Sequence, residues 1–302
     1  MTVSVVLSVF NGILHLKEQL DSLVNQSRAP DEIVVVDDNS QDSSLDIVRE
    51  YKNTYKSIEW IIIQNSENKG WRYSFHLGIQ SAKGDLVFPC DQDDIWLKDK
   101  ILKMEGIMAS REDINVLVSN YEAFYVDKKS RIGPRKNRGT ITQIKFRKHF
   151  LEVPYPGCTF CIRKSFSNSV DSFWKETYPH DAFYFRYSIV SNSCYAWNEK
   201  TILWRKHPSS SYTLEAIKNR KHSNKYKILI YLSSFISQIR KSHLVASARY
   251  SKALLNIQRF IDYRISFYEK PSLHLFFSLF FRLSYYSSFR EFLGDIYLNI
   301  RK

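Results

Sequence analysis

Short apolar runs and amphipathic stretches alternate along the first ninety residues of the chain. Val3-Ser4-Val5-Val6-Leu7-Ser8-Val9-Phe10 is rich in β-branched residues, the pattern of a strand buried on both faces. Asn11-Gly12 ends it, and the stretch through Val24 places Leu14, Leu16, Leu20 and Leu23 at near-helical spacing. Pro30-Asp31 breaks that helix before a second apolar run, Glu32 to Val36. Ser40 to Lys52 reads as a helix with Leu45, Ile47 and Val48 inward and Ser40 as its cap. Glu59 to Ile63 predicts a third strand, Tyr73 to Ala82 a helix, and Leu86-Val87-Phe88 a fourth strand. Strands separated by single helices make parallel β-α-β units with right-handed crossovers. Further on, residues 116–130 predict another strand, and Lys128 to Arg138 a basic, mobile loop carrying Gly133 and Pro134. Pro156 to Ile162 is a strand-like run, and Ala182 to Val190 reads as an apolar helix.

Ligands of parallel sheets bind outside the carboxyl ends of the strands, so the residues after each strand carry the chemistry. These are acidic. The second strand ends in Asp37-Asp38-Asn39-Ser40 and the fourth in Cys90-Asp91-Gln92-Asp93-Asp94-Ile95-Trp96. Five carboxylates at one edge repel each other and are tolerated when a cation sits among them. Oxygen ligands of this kind suit Mg2+ or Mn2+, which share their coordination with phosphate oxygens. Helix capping is the competing reading, but a cap uses one carboxylate, and Asp91 to Asp94 supply three.

Charge changes the picture at the other end. Of the net +13, residues 214–302 hold 16 basic against 5 acidic side chains, whereas the first 213 residues carry 28 against 26. A nearly neutral body therefore precedes a strongly basic tail. The tail is poor in Pro and Gly and rich in helix-compatible apolar residues, and its longest stretch free of charged residues, Pro271 to Phe281, is too short to span a bilayer. Lys and Arg interleaved with Phe, Tyr and Leu suit an in-plane helix against an anionic membrane surface. The alternatives are a helical cap, a dimerisation bundle or a nucleic-acid-binding tail; no RRM, KH or zinc-finger signature is present, and the acidic strand ends would repel a phosphate backbone, so nucleic acid is not expected. Four irregularly spaced cysteines fit a reducing compartment better than a disulfide framework, and the Cys158–Cys161 pair lies in an apolar run, as expected of buried packing. Neither a basic n-region nor a cleavage site opens the sequence, so residue 1 is expected to begin the fold, and the location to be cytoplasmic, peripheral at the inner face of the membrane.

Val5 to Gly12, the Asp37–Ser40 turn, Asn68-Lys69-Gly70-Trp71 and Asp91-Gln92-Asp93-Asp94-Ile95-Trp96 together resemble a family 2 glycosyltransferase of GT-A fold, and the last motif its rhamnosyltransferase-like branch. The resemblance covers roughly the first 210 residues. It implies a Rossmann-like mixed α/β sheet flanked by helices over residues 1–213, with a nucleotide-sugar half (1–115) and an acceptor half (116–213), followed by a basic helical extension (214–302). It implies Asp38 beside the pyrimidine base with Asp37 next to it, Phe10 and Asn11 flanking base and ribose, and Asp91 near the ribose. Asn68 and Gly70 would complete the donor site, with Arg205 on the diphosphate; Arg72, just past Gly70, is a further candidate for contact with donor phosphate or base, a solvated loop cation being its competing role. Asp93 and His207 would hold the metal, Mn2+ or Mg2+. Phe10 stands where tyrosine is more usual and Cys90 where serine is; neither removes a charged ligand.

In an inverting transfer the acceptor hydroxyl loses its proton as it attacks the anomeric carbon, which requires a carboxylate or imidazole within reach. By the same resemblance Asp181, in Tyr178-Pro179-His180-Asp181, is that general base, with capping of the following helix as the competing role. The implied function is metal-dependent transfer of a sugar, rhamnose from dTDP-rhamnose first and a UDP-hexose second, to a glycan or lipid-linked saccharide acceptor.

Overall fold

The computed structural model describes residues 1–125, 128–133, 136–206 and 222–300. They divide into two compact units, the first of residues 1–145 and 153–206, the second of residues 146–152 and the chain beyond residue 206.

The first unit is built as its apolar runs require. Strands β1 (Val3–Val9), β2 (Glu32–Asp37) and β4 (Leu86–Cys90) are buried almost throughout, while β3 (Glu59–Gln64) lies at the sheet edge and is only half covered. Helix α1 (Leu16–Val24) turns Leu16, Leu20 and Leu23 inward, one stripe at helical period. Helices α2 (Ser44–Thr54) and α3 (Trp71–Ser81) complete the crossovers. Ser40 is not the cap of α2. That helix starts four residues later, and the Ser40 hydroxyl instead accepts the Asn11 N–H at 3.0 Å.

Beyond β4 the sheet becomes mixed. Strands β5 (Ile95–Trp96), β6 (Val116–Tyr125), β7 (Lys128–Ile132), β8 (Ile141–Gln143), β9 (Phe160–Arg163) and β10 (Cys194–Lys206) extend it to the order β3-β2-β1-β4-β9-β6-β10-β5, with β7 on β6 and β8 on β10. β9 runs antiparallel to both β4 and β6. The basic loop expected from Lys128 is in part a strand: β7 pairs with β6, Glu122 opposite Ile132. Around the second half lie helices α4 (Lys100–Ser110), α5 (Lys164–Val170) and α6 (His180–Val190). Ten of the eleven residues of α6 are buried, and Asp181 is the exception.

Register decides where the chemistry falls. Val9 pairs with Asp37 and Leu7 with Cys90, so β1 and β2 end level and β4 ends two residues short of them. The Phe10–Asn11, Asp37–Ser40 and Asp91–Asp94 turns therefore share one edge of the sheet. β10 pairs with β5, Leu203 opposite Ile95, which carries Arg205 to the back of the acidic turn.

The second unit contains helices α7 (His222–Lys241), α8 (Ala248–Glu269), α9 (Leu273–Phe280) and α10 (Phe289–Ile300). Ser247 and Ser272 cap α8 and α9, each accepting the N–H three residues on. Its interior combines Phe235, Ile236, Ile239, Leu254, Phe260 and Ile261 with a polar knot: buried Arg264 donates to both oxygens of Asp295, at 2.7 and 3.1 Å, and Tyr268 and Tyr286 donate to the same carboxylate. No described helix is long and apolar enough to cross a membrane.

Candidate active site

The edge opens at the end of β1. Phe10 is 42% exposed, and Asn11 takes a left-handed conformation (φ 48°), donating its N–H to Ser40 and accepting the Gln41 N–H on its side-chain oxygen at 2.8 Å. Beside it the two aspartates ending β2 have different surroundings. Asp38 accepts from Asn65 Nδ2 at 2.7 Å, from Lys69 N at 2.9 Å and from Gly70 N at 2.7 Å. It thereby folds the Asn65–Gly70 loop back on the sheet; Gly70 (φ 86°) takes a conformation costly to other residues, and Asn68 is exposed on that loop. Asp37, equally buried, accepts the Ser40 N–H through Oδ2, while its Oδ1 has no partner. A buried carboxylate oxygen left so is costly unless a ligand completes it.

The acidic turn after β4 is tied down on both sides. Gln92 accepts the Phe10 N–H on Oε1 (2.8 Å) and donates Nε2 to the Phe10 carbonyl (3.1 Å), closing a two-way bridge between the turn and the end of β1. From β10, Arg205 donates its N–H to Asp94 Oδ1 at 2.9 Å, its Nε to the Asp93 carbonyl at 2.7 Å and a terminal nitrogen to Glu18. Its guanidinium thus has partners within the protein on two sides and lies 4.7 Å from the Phe124 ring centre.

Burial, together with Asp93 and Asp181, raises the Asp91 carboxyl above its ordinary range, and burial with Asp91 and Asp93 raises that of Asp94. Asp181, ninety residues away in sequence, is thus among the charges that act on Asp91. One Asp181 oxygen accepts the Ala182 N–H at 2.6 Å, so part of its capacity goes to the first turn of α6. Ligand atoms of Asp91, Asp94 and Cys158 lie within 4.8 Å of one another, and Asp94 Oδ2 is buried without a partner. All four cysteines are buried and free; burial, with Asp94 and Asp91, raises the Cys158 thiol well above its usual value.

Arg72 stacks on Trp71, 4.3 Å from the ring centre, and acts electrostatically on His180. His207 lies outside the described residues. Three residues at this edge were not singled out in sequence. Gln92 stands inside the acidic motif but carries no charge to draw notice. His180 adjoins Asp181: burial lowers its imidazole to about 4, and it packs on Phe75 with ring centres 4.0 Å apart. Lys206 is lowered to about 8 by burial, with Asp94 and Cys158 acting against that shift. Its adjacency to Arg205 was the only available signal.

A parallel β-α-β half, a mixed second half and an acidic turn between them define a nucleotide-sugar glycosyltransferase of GT-A type. Residues 4–175 match the model of glycosyl transferase family 2, and the chain belongs to that family. Among curated proteins it is 28% identical over 217 residues (68% of this chain, 72% of the relative) to the dTDP-rhamnosyl transferase RfbG of Shigella flexneri. It is 37% identical over 106 residues to the poly(ribitol-phosphate) beta-glucosyltransferase of Bacillus spizizenii, 34% of this chain but 16% of that protein. Among solved structures it resembles residues 1–349 of S. aureus TarS in complex with UDP-GlcNAc (TM-score 0.66, 19% identity, 91% of this chain, 77% of that one). It also resembles the mannosyltransferase PcManGT of Pyrobaculum calidifontis in complex with GDP-Man and Mn2+ (TM-score 0.52, 16% identity, 98% and 84%). The protein is a glycosyltransferase.

Proposed function

We propose that this enzyme transfers a sugar, rhamnose from dTDP-rhamnose, with inversion, to a growing lipid-linked glycan. The observation that carries the reading is the single sheet edge shared by the Phe10–Asn11, Asp37–Ser40 and Asp91–Asp94 turns, and the action of the Asp181 charge on Asp91 supports it. The likeness to the Shigella transferase, over two thirds of both chains, supports the rhamnosyl donor.

Asp38 accepts the imide N–H of a thymine or uracil on Oδ2, which takes one donor within the protein, and the unpartnered Asp37 oxygen lies beside it; the same Asp38 holds the Asn65–Gly70 loop. Phe10 offers an exposed ring for stacking. The acidic turn fits a divalent ion: burial, and after it the neighbouring carboxylates, raises Asp91 and Asp94, and Asp94 Oδ2 has no partner. Asp91, Asp93 and Asp94 would hold Mn2+ or Mg2+, which when bound offsets the charge of the diphosphate. Arg205 acts from behind, holding the turn through the Asp93 carbonyl and Asp94. Asp181 takes the proton of the acceptor hydroxyl as that oxygen bonds to the anomeric carbon and the bond to the diphosphate breaks. His180, buried and neutral beside it, adds no competing positive charge. The basic C-terminal region brings the enzyme to the anionic inner face of the membrane, where a lipid-linked acceptor resides.

A nucleotide-release assay over dTDP-, UDP- and GDP-sugars, with Mn2+ or with EDTA, tests this. Metal-dependent release from dTDP-rhamnose, lost in Asp93→Ala, is expected. Release from UDP-hexoses alone would replace the donor, and metal-independent release would refute the role of the turn.

A further inference from the structure

Helices α9 and α10 turn an unusual surface outward. On α9 and the residue after it, Leu273, Phe277 and Phe281 recur every four residues and are 78%, 51% and 79% exposed, with Phe280 beside them. On α10, Phe289, Leu293 and Tyr297 repeat the same spacing, also exposed. The inward face of the pair is conventional: Leu279, Phe292 and Asp295 are buried. The two outer stripes are linked by the buried ring of Phe292 beneath them: it touches Phe289 on one side and Phe280 on the other, and Phe280 touches Phe281, ring centres 5.8, 6.3 and 5.8 Å apart. Isolated exposed apolar side chains need no explanation, but a contiguous set of this kind marks an interaction surface.

Its charge says which partner. Among described residues from Lys270 onward the cations are Lys270, Arg282 and Arg290, with Lys270 and Arg290 exposed. The acids of this stretch are Glu291 and Asp295, and both are turned to Arg264. The exposed Glu269 beside Lys270 accepts from Tyr226, and α9 and α10 themselves offer aromatic and aliphatic side chains with Arg290, and no carboxylate turned outward. A second copy meeting this face across a two-fold axis would set cations against cations. Anionic headgroups would neutralise them while the rings enter the acyl boundary. Neither helix can span a bilayer, so both would lie in its plane.

We infer that the α9–α10 face inserts its aromatic side chains into the interface of an anionic bilayer, so that membrane binding is apolar as well as electrostatic. This rests on the reading of the C-terminal region as membrane-directed and adds where and how it attaches. The full chain is sedimented with phosphatidylcholine vesicles with and without phosphatidylglycerol, at low and high salt, beside the triple variant Phe277→Ser, Phe281→Ser, Phe289→Ser. Nucleotide release is measured on the same samples. Expected are binding that requires phosphatidylglycerol and partly survives high salt, and a loss of about tenfold or more in the triple variant, with release unchanged. A second variant, Phe281→Trp, should blue-shift in emission on adding vesicles. Binding that salt abolishes and the triple variant leaves intact would overturn the insertion while sparing the electrostatic reading. No vesicle binding by an active enzyme would overturn both. A dimer that the triple variant dissociates would assign the face to a second copy instead.

Discussion

The Gln92 bridge gives the sharpest test of how the donor site is assembled. Gly12 lies under the Gln92 amide, and a Cβ added there would sit 2.4 Å from Gln92 Oε1 and 2.8 Å from its carboxamide carbon. The backbone of Gly12 is not left-handed, so alanine is allowed by conformation and excluded only by that side chain. Gly12→Ala should thus push the amide aside and break both hydrogen bonds to Phe10 without touching a charged residue. Each such bond is worth about 0.5–1.5 kcal/mol net, so loosening Phe10 against the acidic turn should weaken donor binding by about 1–3 kcal/mol, roughly 5- to 150-fold. Gln92→Ala removes the same bridge from the other side. Donor KM, and nucleotide Kd by calorimetry, should rise in both single variants, with kcat much less affected. Because they break one bridge, the double variant should be no worse than either alone. Additive losses, or a Gly12→Ala enzyme with unchanged donor KM, would refute the bridge as a positioning device.

Asp181→Asn keeps shape and removes the base, so kcat should fall by about 10^2 to 10^4 while nucleotide Kd is unchanged; an equal loss in both would assign Asp181 to donor binding. Asp295→Ala leaves Arg264 buried against Glu291 alone and strips two tyrosine hydroxyls of their acceptor, which should destabilise the second unit by about 3–5 kcal/mol, read by thermal melting. Burial would raise Glu291, but Arg264 and Lys225 outweigh it and hold the carboxyl at about 2, against 4.5 ordinarily. A lowered folded value means its stabilisation is complete above about pH 4.5 and is lost as pH falls toward 2. Glu291→Gln should flatten that acid limb of the melting curve, and an unchanged limb would show that other carboxylates set it.

The first half of the fold was legible because buried parallel strands are written as continuous apolar runs and their connecting helices as amphipathic periods. Local pattern and tertiary role agree there. The second half was harder. β5 is two residues long, β8 three, and β7 is made of Lys128-Lys129-Ser130-Arg131-Ile132, a composition that reads as a loop. Such strands exist because a neighbouring edge accepts them, which no local window records. Ser40 shows the converse. Its residue type suits a cap, but the chain end of β1 lies nearer than the helix and takes its hydroxyl.

What the sequence determined alone is the acidic chemistry at strand ends, the general class of ligand it calls for, and the division into a neutral body and a basic tail. Residue type and period carry these, and neither needs distance. Only the tertiary structure decided which groups meet. It set Asp181 where its charge acts on Asp91, drew Arg205 onto the acidic turn and Glu18, and left one oxygen of Asp37 unpartnered while giving Asp38 three donors. Contacts between residues far apart in the chain depend on strand register and on which lone pairs the backbone has already used. Those quantities exist once the chain has closed on itself.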